Sequence, residues 1–200
     1  MPTLHPIKLT FRSAVHVGKH GIGQEETLAH IPSDTLFSAL AMARARRPGD
    51  ADSWTGTFVS SPPFRLTSAF PFAGDVRFFS RPIIKPVGIE PKAWRKIRFV
   101  SEVILRHLID NTLPESFLPP KDEVQEPKDG LTLQGGALWL AGIEVPSLPE
   151  SMRTKLNKAT NMREELKMRA IRRGRVWAEM SAPRVAVDRL SHASEIYHTG

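Results

Sequence analysis

The change of hydrophobic period across the first 47 residues constrains the fold more than any other feature of the sequence. Ile7, Leu9 and Phe11 alternate with polar residues, and this period of two predicts a strand over residues 6–17 with one buried face. A glycine-rich loop follows at residues 18–23. Apolar residues at helical spacing then predict a helix up to residue 47, capped by Ser33 or Asp34. The chain thus opens with a strand, a loop and a helix.

Further short elements follow this unit. Residues 64–72 and 76–84 are typical of strands joined by a turn at Gly74 and Asp75, and residues 101–110 are typical of a helix. We expect a short strand at 138–140, a charged helix over 151–180 and a strand that starts at Pro183. The last residues, from Tyr197, enter a turn with no partner strand to follow. An unpaired terminal strand is unfavourable, so the sequence predicts a fragment of a longer protein.

Composition excludes several classes of protein. The 200 residues are 40% hydrophobic, which suits one large domain or two small ones. No apolar run reaches the length of a membrane span, and the first residues lack the pattern of a secretory signal, so we expect a cytoplasmic protein. The absence of cysteine excludes disulfides and thiolate metal sites, and no predicted helix carries a pair of histidines. We therefore expect neither a metal nor a cofactor.

The net charge of +7 is unevenly distributed. Residues 1–110 hold 15 Lys/Arg and 9 Asp/Glu, and residues 151–200 hold 11 and 5, so each block carries +6. Residues 111–150 hold 2 and 7, which gives −5, together with six of the 17 prolines. The basic blocks favour a polyanion partner, and the acidic segment predicts a long, partly mobile surface excursion.

The glycine-rich loop is a candidate phosphate site. Glycines let the backbone approach a phosphate closely, and the following helix offers free amides at its N-terminus. The loop is not a nucleotide-binding P-loop, because His20 follows Lys19 where Ser or Thr would stand. The glycine spacing does not match a dinucleotide fingerprint either. An RNA phosphate is the better ligand, and an ordinary turn is the alternative.

A mixture of cations and aromatic rings marks residues 77–99. Single-stranded nucleic acids are commonly held by cations on phosphates and by rings under bases. The alternative is that the rings belong to the core, and of the adjacent Phe78 and Phe79 one must point inward. The rings are Phe78, Phe79, Trp94 and Phe99, and the cations are Arg77, Arg81, Lys85, Lys92, Arg95, Lys96 and Arg98.

Catalysis is the weaker interpretation of the histidines. His16 or His20, with a second base, could cleave RNA by moving protons to and from the 2′-hydroxyl and the leaving oxygen. No fixed spacing selects that second group, and a loop histidine can equally bond a backbone group or a phosphate. We therefore expect a protein without catalytic activity of its own, with an RNA-cleaving enzyme as the alternative.

Three stretches taken together resemble one family. They are Phe-Arg-Ser-Ala-Val-His-Val-Gly at residues 11–18, Ile-Pro-Ser-Asp-Thr-Leu-Phe-Ser-Ala-Leu at 31–40, and Pro-Arg-Val-Ala-Val-Asp-Arg at 183–189 running on to Tyr197. In this order they resemble the fourth subunit of the type III-A (Csm) CRISPR effector complex, a member of the RAMP superfamily. The aromatic segment at 70–86 is also similar.

The resemblance implies an α+β, ferredoxin-like (RRM-like) fold. Residues 1–200 would form one such domain, with the start of a β-hairpin thumb at about 183–200 and a second half missing. The family is not known for its own catalysis. It caps the guide RNA at the repeat-derived 5′ handle and docks on the large polymerase-like subunit and the backbone RAMP subunits, with target RNA nearby. The rival within the superfamily is an endoribonuclease that processes the guide precursor.

The resemblance makes the loop at 18–23 the candidate handle-binding loop and puts Arg184, Arg189 and His192 at the base of the thumb. We expect the acidic excursion at 111–150 to contact a neighbouring protein subunit. The candidate RNA-binding residues, including the cations that end the first helix, are His16, Gly18, Lys19, His20, Gly21, Arg44, Arg47, Arg81, Lys85, Arg95, Lys96, Arg184, Arg189 and His192.

Overall fold

A computed structural model of the chain describes residues 5–18, 27–49, 51–119, 129–159, 171–179, 182–187 and 194–199. The chain divides into two compact units. The first joins Met1–Ile31 with Glu179–Gly200, and the second is Pro32–Ala178. The expected start of the thumb therefore belongs to the same unit as the N-terminal segment. Among the helices in the described ranges, none is long and apolar enough to cross a membrane.

The larger unit, Pro32–Ala178, contains a mixed sheet of five strands. The strands are β1 (Phe72–Ala73), β2 (Val76–Ser80), β3 (Phe99–Ser101), β4 (Gly130–Leu133) and β5 (Leu138–Ala141). Their order across the sheet is β1-β2-β3-β5-β4. Neighbours are antiparallel except β3 and β5, which run parallel with Phe99 opposite Leu138. Helices accompany this sheet, so the predicted α+β class is confirmed.

The helices of this unit are α1 (Ser33–Ala45), α2 (Ala51–Ser60), α3 (Pro91–Lys96), α4 (Glu102–Ile109) and α5 (Glu150–Ala159). The predicted helices at 33–47 and 101–110 are confirmed, whereas α2 and α3 were not predicted. The N-cap of α1 is Pro32 rather than Ser33 or Asp34, although Asp34 Oδ1 does accept an amide of the first turn, the Thr35 N–H, at 2.8 Å. Ser101 does cap α4, since its Oγ accepts the Ile104 N–H at 3.4 Å. Short 3-10 turns lie at Glu115–Phe117, Gln134–Gly136 and Gly142–Ser147.

The core covers both faces of the sheet. Val100 and Trp139 pack against Ile104 of α4, and the indole N–H of Trp139 donates to Phe117 O at 2.9 Å. Phe99 precedes Val100 in β3 and therefore points to the opposite face. There its ring meets Trp177 with centroids 6.1 Å apart. A sheet buried on both sides needs apolar residues at consecutive positions, as β3 and β5 have.

The interpretation of 111–150 as a surface excursion is wrong for residues 129–148. Strands β4 and β5 are buried along their whole length, with Leu138, Trp139 and Leu140 among the most buried side chains of the described residues. Only the strand at 138–140 was predicted. Composition averaged over forty residues concealed two apolar runs between acidic neighbours. Residues 120–128, which hold three of the seven acids and two of the six prolines of residues 111–150, lie outside the described part of the chain.

The predicted strand at 6–17 is also wrong. Residues 5–17 form no regular element, and pairing begins only at Gly18, which forms a single antiparallel bridge with Thr27. Ile7 is 76% exposed and Phe11 is 52% exposed, so the alternation buries neither side chain. An alternating pattern yields a strand only where a neighbouring strand supplies hydrogen bonds and a face to bury.

The strands around residue 75 are shorter than predicted. Gly74 and Asp75 form the expected turn, with Gly74 at a φ of +61° and the Asp75 N–H bonded to Ser147 O at 3.0 Å. However, residues 64–71 lie outside any strand, and β2 ends at Ser80 rather than Ile84. Pro82 has no N–H to donate to a ladder, which explains the early end.

The chain after residue 170 differs from the predicted long helix. Helix α5 confirms its beginning, residues 160–170 lie outside the described part, and residues 173–179 are not helical. In the smaller unit, β6 (Ala182–Val187) confirms the strand at Pro183 and pairs antiparallel with β7 (Ser194–Thr199). Tyr197 lies in β7 opposite Arg184, so the expectation that the terminal strand has no partner is wrong.

A half-buried carboxyl joins β5 to the start of α4. Glu144 Oε2 accepts the Ser101 hydroxyl at 2.5 Å and the Ala141 N–H at 2.9 Å. Burial raises the pKa of Glu144 above its ordinary value of 4.5, although these hydrogen bonds act in the opposite direction. Glu144 therefore fixes Ser101, the cap residue of α4. Ionisation of the buried Glu144 carboxyl lowers the stability of this arrangement.

Changing Glu144 to Gln is expected to remove a pH dependence of stability. Because the pKa of Glu144 is higher in the folded state, its stabilisation is complete below the unfolded-state pKa and is lost as pH rises through the folded-state pKa. Glu144→Gln keeps an oxygen acceptor without the charge, so the wild type should lose stability relative to this variant as pH rises above about 4.5. Urea unfolding between pH 4 and 8 measures the difference. The exposed Glu115→Gln is the matched control, and parallel curves for wild type and Glu144→Gln would contradict the assignment.

Candidate nucleic-acid interface

Residues 81–98 link β2 to β3 at one end of the sheet and include α3. We call this segment the β2–β3 connection. Its base is closed by the Arg81 N–H, which donates to Arg98 O at 3.1 Å. From residue 77 to residue 98 the chain holds seven cations and one acid, Glu90. Arg77 is engaged elsewhere, since it pairs with Glu102 at 2.5 Å. The other cations are Arg81, Lys85, Lys92, Arg95, Lys96 and Arg98.

Helix α3 turns three of these six cations to solvent because its opposite side is anchored. Trp94 is buried in the core, and the Arg81 guanidinium lies over its ring, 4.6 Å from the centroid. Lys92, Arg95 and Lys96 lie at spacings of three and four residues and are exposed. The buried tryptophan thus fixes a helix whose outer face is cationic.

A second cationic segment, residues 171–177, is held at the same end of the sheet by Gln134. The Gln134 side chain donates to Trp177 O at 3.0 Å and accepts the Val176 N–H at 2.8 Å. The Gln134 N–H donates to Gly174 O at 2.7 Å. These bonds hold Gln134 at a φ of +53°, which is uncommon for a residue other than glycine. The segment they fix contains Arg172, Arg173 and Arg175.

The two cationic segments both border residues 136–137 because β3 and β5 are parallel and start at the same end of the sheet. The N–H groups of Arg98 and Phe99 both donate to Ala137 O, at 2.8 and 3.0 Å. Beside Ala137, a Cβ on Gly136 would lie 2.9 Å from the Arg172 guanidinium. We call the cations of these two segments, which flank the same end of the sheet, the basic rim. Its members are Arg81, Lys85, Lys92, Arg95, Lys96, Arg98, Arg172, Arg173 and Arg175.

Sequence reasoning missed the contribution of residues 172–175, because it placed them on a long helix. A signal was present. Gly174 interrupts the helical run, and Trp177 is a large apolar residue beyond the charged stretch. A Cβ on Gly174 would lie 3.1 Å from Leu133 Cδ2, so the close approach of this segment to β4 favours glycine.

The aromatic rings are not available for stacking on bases. Trp94, Phe78 and Phe99 are buried, and Phe79 is half-buried. The alternative that the rings belong to the core is therefore correct. One ring of the adjacent pair was expected to point inward, and the buried ring is that of Phe78. The large rings of a short sheet are needed to fill both of its faces, which leaves the cations alone at the surface.

Two other predicted residues belong to the end of α1 and the residues just after it. Arg44 and Arg47 are at the C-terminal end of α1, where the Arg44 guanidinium donates to Pro48 O at 3.2 Å. Helix α1 is joined to α2 by Phe37, whose ring stacks on Trp54 with centroids 5.9 Å apart. These two arginines therefore belong to the α1–α2 helix pair and not to the sheet.

The smaller unit contains the base of the glycine-rich loop. The Val17 N–H donates to Thr27 Oγ1 at 3.1 Å, and the Leu28 N–H donates to Val17 O at 2.8 Å. His16 is exposed, and its Nε2 would lie 3.6 Å from a Cβ on Gly18. The loop is thus closed at its base, with an imidazole beside the closing glycine.

The predicted site residues are divided between the two units. His16, Gly18 and Arg184 belong to the smaller one, with Arg184 in β6. The predicted residues that lie outside the described part of the chain are Lys19, His20, Gly21, Arg189 and His192. Those in the larger unit are Arg44, Arg47, Arg81, Lys85, Arg95 and Lys96. In the described ranges, no group of three His, Asp or Glu side chains could hold a metal ion.

Comparison with known proteins gives no match: no family model, no curated protein and no solved structure is similar to this chain. The basic rim and the loop base are therefore the features from which function is argued.

Proposed function

We propose that this chain is a non-catalytic subunit that binds single-stranded guide RNA, with the basic rim as its phosphate-binding surface. The observation that carries the proposal is the joining of two cationic segments, distant in sequence, at one end of the sheet. Clustered cations attract a polyanion, and this attraction weakens as the salt concentration rises.

The rim supports phosphate contact rather than base reading. Its cations are presented by a short helix and two backbone segments, while the neighbouring rings are buried. Phosphate contacts set the position and orientation of a nucleic acid without selecting its sequence. Any preference for particular bases then belongs to other residues, and the loop at 18–23 is the candidate we propose.

The finer part of the proposal comes from the resemblance to the fourth subunit of the type III-A CRISPR complex. It supplies a ferredoxin-like RAMP fold, a guide RNA capped at its 5′ handle, and docking on the large polymerase-like subunit and the backbone subunits in the cytoplasm. The closed base of the glycine loop, with His16 beside Gly18, agrees with a loop that receives the handle.

Charge removal on α3 provides the test. Arg95→Ala with Lys96→Ala removes two exposed charges of the rim, and affinity for a single-stranded handle RNA should fall about tenfold for each lost contact. Each phosphate contact contributes about 0.7 to the slope of log affinity against log salt, so the loss of both contacts should flatten the slope by about 1.4. Fluorescence anisotropy across a salt series measures both quantities.

Arg153→Ala with Lys155→Ala is the matched control, since it removes two exposed charges from α5. Equal weakening by the two pairs would mean that the chain responds only to its net charge and that the rim is not a site. A slope unchanged by Arg95→Ala and Lys96→Ala would remove α3 from the interface.

The alternative function is a metal-independent endoribonuclease that processes the guide precursor. The proximity of the His16 imidazole to the loop base is the observation that favours it. Incubation of the protein with repeat RNA in the presence of a metal chelator distinguishes the nuclease from the non-catalytic subunit. Specific cleavage that is lost in His16→Ala or His20→Ala supports the nuclease, whereas RNA that is bound and left intact supports the subunit proposed above.

A further inference from the structure

The most exposed apolar side chains near the basic rim lie at the tip of the β2–β3 connection. Ile83, Ile84 and Val87 are 98%, 83% and 95% exposed, and we call these three side chains the apolar tip. Apolar surface of this kind, clustered and rimmed by charge, marks a binding surface on a protein, whereas single exposed residues do not. RNA binding by the rim does not account for it.

The tip is held in one shape from both sides. Pro82 and Pro86 fix the backbone on either side of Ile83 and Ile84. The Lys85 ammonium turns back and donates to Ile89 O at 2.8 Å, and Ile89 is buried in the core. These restraints present the three side chains in a preformed arrangement, which lowers the entropy cost of binding.

The foot of the tip rests on the body of the unit. Gly88 has a φ of +87°, and a Cβ there would lie 2.8 Å from Leu118 Cδ1. The chain therefore turns tightly against Leu118 before Ile89 enters the core. The exposed apolar protrusion therefore stands on a fixed base.

We propose that the apolar tip docks into an apolar groove of a protein partner whose groove is bordered by carboxylates. The charge around the tip indicates the carboxylates at the border of the groove. Lys92, Arg95 and Lys96 follow within ten residues and are exposed, and residues 77–98 carry a net charge of +6. A groove with acidic borders complements both the tip and its flanks, which sets orientation and speeds association.

Other occupants fit less well. Branched aliphatic side chains offer a nucleic acid neither a ring to stack on nor a hydrogen bond. A lipid interior would leave the backbone of this irregular loop without hydrogen-bond partners. A second copy of the chain would bring two strongly cationic surfaces together. A protein groove can satisfy the backbone and balance the charge at once.

The test begins with the full chain carrying a photocrosslinking benzoylphenylalanine in place of Ile84, expressed in its own host. The same group in place of Ile143, which is 66% exposed, is the control position. The protein crosslinked at position 84 and not at 143 is purified, and its affinity is measured for the wild type and for Ile83→Ala/Ile84→Ala/Val87→Ala.

The triple variant of the tip should weaken binding to the purified partner by about 100-fold or more, since three buried aliphatic side chains are truncated. Val59→Ala/Ile109→Ala/Ile143→Ala truncates three other exposed side chains and should change affinity less than about twofold. Neutralising the carboxylates that border the partner's groove should weaken binding of the wild type. RNA binding and thermal unfolding of the tip variant should match the wild type.

Each of the following results would overturn the inference. They are the absence of any protein crosslinked specifically at position 84, equal affinity of wild type and tip variant for the purified partner, loss of RNA affinity in the tip variant, tip-dependent binding to phosphatidylglycerol vesicles, and a concentration-dependent dimer that the tip variant abolishes. The RNA proposal stands or falls separately, on the variants of α3.

Discussion

Trp139→Ala is expected to lower the free energy of unfolding of the larger unit by about 3–5 kcal/mol, the range for aromatic truncations in a core. Trp139 is the largest of the fully buried side chains in the described residues. It lies in β5 between β3 and β4, and packs with Val100 and Ile104 on the α4 side of the sheet. Its removal leaves a cavity between β5 and α4 and leaves Phe117 O without its indole donor.

Urea unfolding followed by circular dichroism measures this loss. Trp139→Phe separates the two contributions, because it retains most of the ring volume and removes the N–H that bonds Phe117 O at 2.9 Å. We expect that variant to lose about 1–3 kcal/mol, part of it from the unpaired carbonyl. A loss below about 1 kcal/mol for Trp139→Ala would mean that β5 is not the centre of the core.

Gly130→Ala should destabilise the same unit by about 3 kcal/mol, the upper part of the range for overpacking. A Cβ at this position would overlap the carbonyl oxygens of Phe117 and Leu118, both of them backbone atoms that a side-chain rotation cannot move away. The strand can accept the change only if β4 or the turn at Glu115–Phe117 shifts as a whole.

Gly56→Ala is the matched control, because it is the same chemical change with the opposite expected sign. Gly56 lies inside α2 with nothing within 4 Å of its Cβ position. Alanine there should stabilise the helix by about 1 kcal/mol. Thermal and urea unfolding of the two variants provide the comparison, and equal effects would show that the contact of β4 with residues 117–118 is not tight.

The rim and the tip divide one connection between two kinds of contact. The cations of α3 face solvent around a buried tryptophan, and the aliphatic side chains project from a loop that prolines restrain. Under the two proposals, one short segment between β2 and β3 contacts RNA through charge and protein through apolar area. Variants of Arg95 and Lys96 and variants of the tip should therefore have separable effects.

Local sequence patterns predicted the elements that depend on near neighbours. Helices α1 and α4, the turn at Gly74, the burial of one ring of the pair at 78–79 and the strand β6 could all be predicted, because spacing and turn residues act within a few positions. The sequence also located the cations of the β2–β3 connection. In these cases the burial or exposure of a side chain follows from its own element.

Long-range pairing decided the rest. The alternation at Ile7 to Phe11 has the pattern of a strand but forms no regular element in the described part of the chain. In contrast, β4 and β5 were concealed in an acidic segment and form two adjacent buried strands of the sheet. The joining of Arg172 to the rim depends on Gln134, some forty residues earlier. The sequence by itself determined which segments are helical, apolar or cationic. Only the tertiary structure decided which strands pair, which rings are covered and which cations share a surface, because hydrogen bonds and burial between distant segments set those outcomes.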